Sequence, residues 1–154
     1  MRAHLLSRFF HNGPPRAVVA YGQEPPLPNV DVTETNDTAT DTPTWLLAVR
    51  AAESKKATEI QVLDLTGITS FADYFVICTG SNSRQVQAIS DEINLRLKRE
   101  AGELPISVEG YDAAEWILAD YGDLLIHIFS PQSREYYGLE RLWRSAKQVE
   151  IPPE

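Results

Sequence analysis

The run "YFVICT", Tyr74–Thr79, is apolar along nearly its whole length. Successive side chains on a strand point to opposite faces. A strand with no polar alternation therefore has both faces covered, as in the middle of a helix-flanked sheet. The flanking sequence supplies such helices. After "GSNSR", Val86, Ile89, Ile93 and Leu97 recur at helical spacing up to about Ala101. Gly102 stands where a left-handed C-terminal cap belongs. Upstream, Thr42 is placed to cap a helix with Pro43 at its first position. Trp45, Ala48, Val49 and Ala52 form the apolar face of that helix. "KKATEIQVLDL" leads into a strand near residues 59–64, and "LPISVE", "EWILAD" and "LLIHIF" read as three more. Ser130-Pro131 opens a last helix, with Tyr136, Leu139, Trp143 and Ala146 as its buried stripe. The order α-β-β-α-β-β-β-α predicts an α/β domain, a mixed five-stranded sheet flanked by helices.

The length of 154 residues fits one domain. Residues 1–23 carry Arg2, Arg8 and Arg16 and no acid, whereas residues 24–42 carry five acids and no base. The second segment, "PPLPNVDVTETNDTATDTP" with its neighbours, buries too little apolar surface to offset ordering. A disordered extension is expected over residues 1–42, then a domain over 43–150 and a tail over 151–154. The first segment has the basic, acid-free composition of an organelle transit peptide, but it is poor in serine and interrupted by Pro14-Pro15. No apolar stretch approaches the roughly 18 residues of a membrane span, so a soluble protein is expected. The net charge is −8. That disfavours a nonspecific grip on a phosphate backbone and suits a basic protein partner. Cys78 is the single cysteine, which fits a reducing compartment.

"CTGSNSR" invites two readings. Gly80 and Ser81 at a helix start, with Arg84 in the first turn, resemble a phosphate cradle. Equally, they form a glycine turn with Ser81 or Ser83 as the cap. The Gly-Lys-Thr signature of a phosphate loop is missing. Asp91 and Glu92 are adjacent on a helix, about 100° apart, and cannot readily share one Mg²⁺. Cys78 and His127 lie in apolar strands without a third group to orient them. They read as a small buried hydrophobe and a satisfied histidine. His4 and His11 fall in the extension, so neither a metal site nor a cofactor is expected.

"EGYDAAEWILADYGDLLIHIF", Glu109–Phe129, holds five carboxylates: Glu109, Asp112, Glu115, Asp120 and Asp123. Gly122 supplies the positive φ of a turn that Asp120 and Asp123 flank. No base or nucleophile converges on these acids. Trp116, Leu118 and Asp120 share one strand face, Ile117 and Ala119 the other. Either helices cover both faces, or Trp116 and Leu118 form an exposed patch rimmed by Asp120 and Tyr121, the composition of a protein–protein hot spot.

Three separated motifs, "ADYFVICTGSNSRQVQAISDEI", "EGYDAAEWILADYGDLLIHIF" and "REYYGLERLW", occur in order between about residues 45 and 149. In these the chain resembles the ribosomal silencing factor family, also called Iojap or RsfS. The resemblance implies a nucleotidyltransferase-like fold without catalysis. It implies binding to the large ribosomal subunit through ribosomal protein L-fourteen, on the face that meets the small subunit. Steric blockage of subunit joining would then repress translation when nutrients are scarce. Organelle relatives act in large-subunit biogenesis. Carried onto this chain, the partner surface would comprise Trp116, Leu118, Asp120 and Tyr121, with Arg134 and Tyr137 at its edge, Tyr137 being alternatively a packing residue. Gly80, Ser81 and Arg84 would be a vestigial anion loop. Gln85 stands where the family often has histidine. A homodimer is compatible with the family. The compartment implied is the bacterial cytoplasm, or mitochondrion or plastid if residues 1–23 are a transit peptide. The rival reading is a nucleotide-binding enzyme that uses Gly80, Ser81 and Arg84.

Overall fold

A computed structural model describes residues 42–154 of the chain. All but Thr42 of the expected N-terminal extension lies outside the described residues. The elements are α1 (Thr44–Ser54), β1 (Thr58–Asp64), β2 (Tyr74–Thr79), α2 (Ser83–Ala101), β3 (Ser107–Glu109), β4 (Trp116–Asp120), β5 (Leu124–Phe129), α3 (Pro131–Tyr137), α4 (Leu139–Leu142) and β6 (Lys147–Val149). The strands form one six-stranded sheet in the order β3-β4-β5-β2-β1-β6. β2 and β5 run parallel at its centre, from Tyr74↔Leu124 to Thr79↔Phe129. The other pairings are antiparallel. The doubly apolar run is thus a central strand, buried from Phe75 to Thr79, and β5 beside it is buried throughout.

Each face of the sheet has its own core. α1 and α2 cover Val62, Val76, Cys78, Ile117, Ala119, Ile126 and Ile128. On the opposite face Phe75, Ile77, Trp116, Leu118 and Phe129 pack with Leu139 and Trp143. α2 buries the expected stripe of Val86, Ile89, Ile93 and Leu97 and ends on Gly102 at φ +67. Gly80 is dictated by packing. A Cβ there would sit 2.9 Å from Val86 Cγ2 and 3.0 Å from the Val86 backbone nitrogen. Only glycine lets β2 turn so tightly into α2.

Two boundaries differ from the sequence reading. α1 starts at Thr44, with Pro43 in the capping position and no side-chain cap. The last helix is broken: α3 ends on Gly138 at φ +52, α4 follows, and the chain then returns as β6. β6 pairs with β1 through Val62↔Val149 and Asp64↔Lys147, so the sheet has six strands instead of five. The left-handed residue resets the helical phase. Leu139 and Trp143 are therefore buried as expected, but Tyr136 is 77% exposed. The residues expected as a tail are also engaged. Ile151 packs against the core, and Arg50 donates to the Pro152 and Pro153 carbonyls at 2.8 and 3.4 Å.

Candidate partner-binding surface

β4 and β5 form the hairpin predicted around Gly122, paired from Trp116↔Phe129 to Asp120↔Leu125. Gly122 sits at φ +96, and its N–H donates to Asp120 Oδ1 at 2.8 Å. Asp120 is half-buried. The exposed patch of Trp116 and Leu118 does not exist in this fold: they are 5% and 0% exposed. The physical reason is that α3, α4 and the turn after them close over that face of β4. Tyr121 is also buried, directed toward α2, with its hydroxyl 2.5 Å from Asn94 Oδ1. Burial, helped by the charge of Glu103, pushes that hydroxyl up to about 12.

Trp116 lies within an aromatic cluster. Its ring is 4.9 Å from Phe129 and 4.6 Å from Tyr137. Its indole N–H donates to His127 Nδ1 at 3.1 Å. Burial, together with the nearby Arg134 charge, pushes the imidazole down to about 3, so His127 is neutral. Cys78 is on the opposite face of the sheet, in the other core. Burial pushes its thiol up to about 12. The two therefore form no thiol–imidazole pair.

Tyr137 is half-buried, and Tyr136 meets it edge-on with centroids 4.9 Å apart. Phe129, Trp116, Tyr137 and Tyr136 thus form a run of rings from the core to the surface. The sequence reading missed Tyr136 as a surface residue. The signal for it is Gly138, which interrupts the apparent stripe two residues later. Arg134, expected as an edge contact, is only 8% exposed and is held by Glu140 and Thr79. Glu115 Oε1 fixes the start of α3 by accepting from the hydroxyls of Ser130 and Ser133 at 2.8 and 3.3 Å. The Ser130 oxygen caps α3 in turn, accepting from the Ser133 N–H at 3.2 Å. One of the five clustered acids is therefore a helix anchor.

The glycine–serine loop is filled from within the chain. The Ser81 N–H and hydroxyl both donate to Gln85 Oε1, at 2.5 and 2.8 Å. Gln85 Nε2 donates onward to the Lys55 and Lys56 carbonyls at 2.9 and 3.1 Å. The cap of α2 is Asn82, which accepts from the Gln85 N–H at 2.8 Å, and not Ser81 or Ser83. Arg84 is exposed. Asp91 accepts from the Tyr111 hydroxyl at 3.0 Å, and Glu92 pairs with Arg96 at 3.5 Å. Among the described residues no group of three or more His, Cys, Asp or Glu is placed to hold a metal ion. Nor is any helix long and apolar enough to cross a membrane.

Comparison with known proteins identifies the family. The family model "Ribosomal silencing factor during starvation" matches residues 37–154. The ribosomal silencing factor of Halalkalibacterium halodurans is 43% identical over 105 residues, covering 68% of this chain and 89% of the relative. That of Bacillus subtilis is 44% identical over 108 residues, covering 68% and 88%. The chloroplastic Iojap protein of Zea mays is 34% identical over 131 residues, covering 83% of this chain and 54% of the maize protein. A crystal structure of a Chromobacterium violaceum protein superposes with a TM-score of 0.63 at 32% identity, covering 72% of this chain and 91% of that one. With most of its length matched in both sequence and fold, the chain belongs to the ribosomal silencing factor family, a group of ribosome-associated regulators of translation.

Proposed function

We propose that this protein binds the large ribosomal subunit through ribosomal protein L-fourteen and blocks joining of the small subunit by occupying its place. The observation that carries the reading is the run of rings ending in exposed Tyr136, on a chain of the silencing factor family. An aromatic anchor backed by packed rings is the usual centre of a protein–protein hot spot. The net charge of −8 suits a basic ribosomal partner. Tyr136 and Tyr137 are the direct contacts in this reading. Trp116 supports them from beneath, with Leu118 beside it in the same core. Asp120, half-buried at the far end of β4, is a further contact in this reading. Steric occlusion requires no bond to be made or broken, in keeping with a Ser81 loop whose donors are already occupied by Gln85. The compartment that goes with this reading is the bacterial cytoplasm.

The test is co-sedimentation with isolated large subunits, followed by light scattering of subunit joining. Tyr136→Ala is expected to weaken binding by at least ~2 kcal/mol, the size of a hot-spot truncation. Wild-type binding by this variant removes the surface. Unhindered joining at saturating protein removes the mechanism.

A further inference from the structure

The proposed surface is carried by α3, a helix of seven residues. Helices this short are marginal alone, so tertiary anchors must set its orientation. The outer side of α3 shows Tyr136, and its inner side carries Arg134. A buried guanidinium is tolerated when its donors are satisfied. Here Nε donates to Glu140 Oε2 at 2.7 Å, Nη2 lies 2.5 Å from the same oxygen, and Nη1 donates to Thr79 Oγ1 at 2.8 Å. Glu140 stands beyond the Gly138 break, on α4. Thr79 is the last residue of the central strand β2. One side chain therefore ties α3 both to the helix that follows it and to the middle of the sheet. The tie extends further. The Thr79 hydroxyl donates to Glu59 Oε1 at 3.3 Å, and that oxygen is 4.0 Å from Nη1. Glu59 reaches it from an irregularity in β1, where its backbone takes φ +49, a conformation unfavourable for a residue with a Cβ.

We propose that Arg134 is a positioning residue of the partner surface: its buried bonds to Glu140 and Thr79 hold α3 in the orientation that projects Tyr136. The inference rests on the ribosome-binding reading above. It assigns Arg134 a role through α3 and not through contact. Lysine cannot replace it, because a single ammonium lacks the planar fork that reaches Glu140 and Thr79 together.

The experiment is a double-mutant cycle in the full chain, read by co-sedimentation with isolated large subunits and by amide hydrogen exchange. Glu140→Gln keeps the shape of the site and removes its charge. It is expected to weaken binding about 2- to 30-fold, the range for a residue that acts without touching the partner, and to speed exchange of the α3 amides while those of β2 and β5 stay protected. Tyr136→Ala combined with Glu140→Gln should lose clearly less than the sum of the two single losses, since the latch acts largely through that ring. Thr79→Val provides an independent cut of the same latch and should behave alike. Wild-type affinity for both Glu140→Gln and Thr79→Val overturns the proposal, as do losses that add fully to that of Tyr136→Ala. A wild-type chain that fails to sediment with large subunits sinks the functional reading and this inference with it. A wild type that binds, with Glu140→Gln and Thr79→Val binding equally well, sinks this inference alone.

Discussion

Trp116 and His127 face each other diagonally across the β4–β5 pair, and the buried indole N–H is given to the histidine Nδ1 at 3.1 Å. The bond needs a lone pair on Nδ1, so it exists only with the imidazole in its neutral form.

Acid should therefore weaken the fold through this residue. The folded-state value of His127 is about 3, against an ordinary value near ~6.5 in the unfolded chain. Between those limits the unfolded chain binds the proton and the folded one does not, so stability is lost as pH falls. The slope from this single group is at most about 1.4 kcal/mol per pH unit. Urea midpoints measured from pH 7 down to pH 4 should fall. The variant His127→Asn, whose side-chain oxygen can still accept from the indole, should show a flatter profile.

Trp116→Ala and Tyr136→Ala should separate stability from binding. The first empties a core position beneath α3 and is expected to cost about 3–5 kcal/mol of stability. The second removes an exposed ring and should change stability by less than about 0.5 kcal/mol while still losing ribosome binding. Chemical denaturation and co-sedimentation of both variants check the contrast. A Tyr136→Ala chain that melts as early as Trp116→Ala would show the ring to be part of the core.

Two glycines, both with a positive φ, should respond very differently to alanine. Gly102, at φ +67, has open space where a Cβ would stand, so Gly102→Ala carries the left-handed cost alone, about 1–2 kcal/mol. Gly110, at φ +82, has the Trp116 carbonyl oxygen in the position a Cβ would take. Backbone there cannot yield without disturbing the start of β4. Gly110→Ala is expected to cost clearly more than Gly102→Ala, or to prevent folding. Thermal midpoints of the two variants decide the order.

Gln85→Ala should destabilise the domain by about 0.5–1.5 kcal/mol, because the Ser81 amide and the Lys55 and Lys56 carbonyls lose a shared partner and turn to water instead. Calorimetric titration of the unaltered chain with ATP or CTP and Mg²⁺ should give no saturable heat. Saturable binding that Ser81→Ala abolishes would restore the enzyme reading.

The interior of this fold was legible from side-chain periodicity. "YFVICT" announced a strand covered twice, and Val86, Ile89, Ile93 and Leu97 announced the helix that covers it, closed by Gly102. Periodicity was silent where one pattern serves two environments. Trp116 and Leu118 on one strand face describe a covered core and an exposed hot spot equally well. The choice depends on α3 and α4, whose placement is set by the tertiary bonds of Arg134 and Glu115. Gly138 was the visible mark of the helix break, but Tyr136, Leu139 and Trp143 also fit one continuous helix, and three residues of β6 are too few to show alternation. At the Ser81 loop the deciding group was the Gln85 side chain, which folds back through space to a donor four residues earlier.

The chain of rings also bears on how fast a partner would come and go. Tyr136 leans edge-on against Tyr137, and Tyr137 against Trp116, so the contact below restricts the outermost ring on one side. An immobilised side chain ordinarily charges association about 0.5–1.5 kcal/mol; a ring already braced escapes part of that toll. Loosening the brace from below should then show itself in how long a complex lasts more than in how quickly it forms.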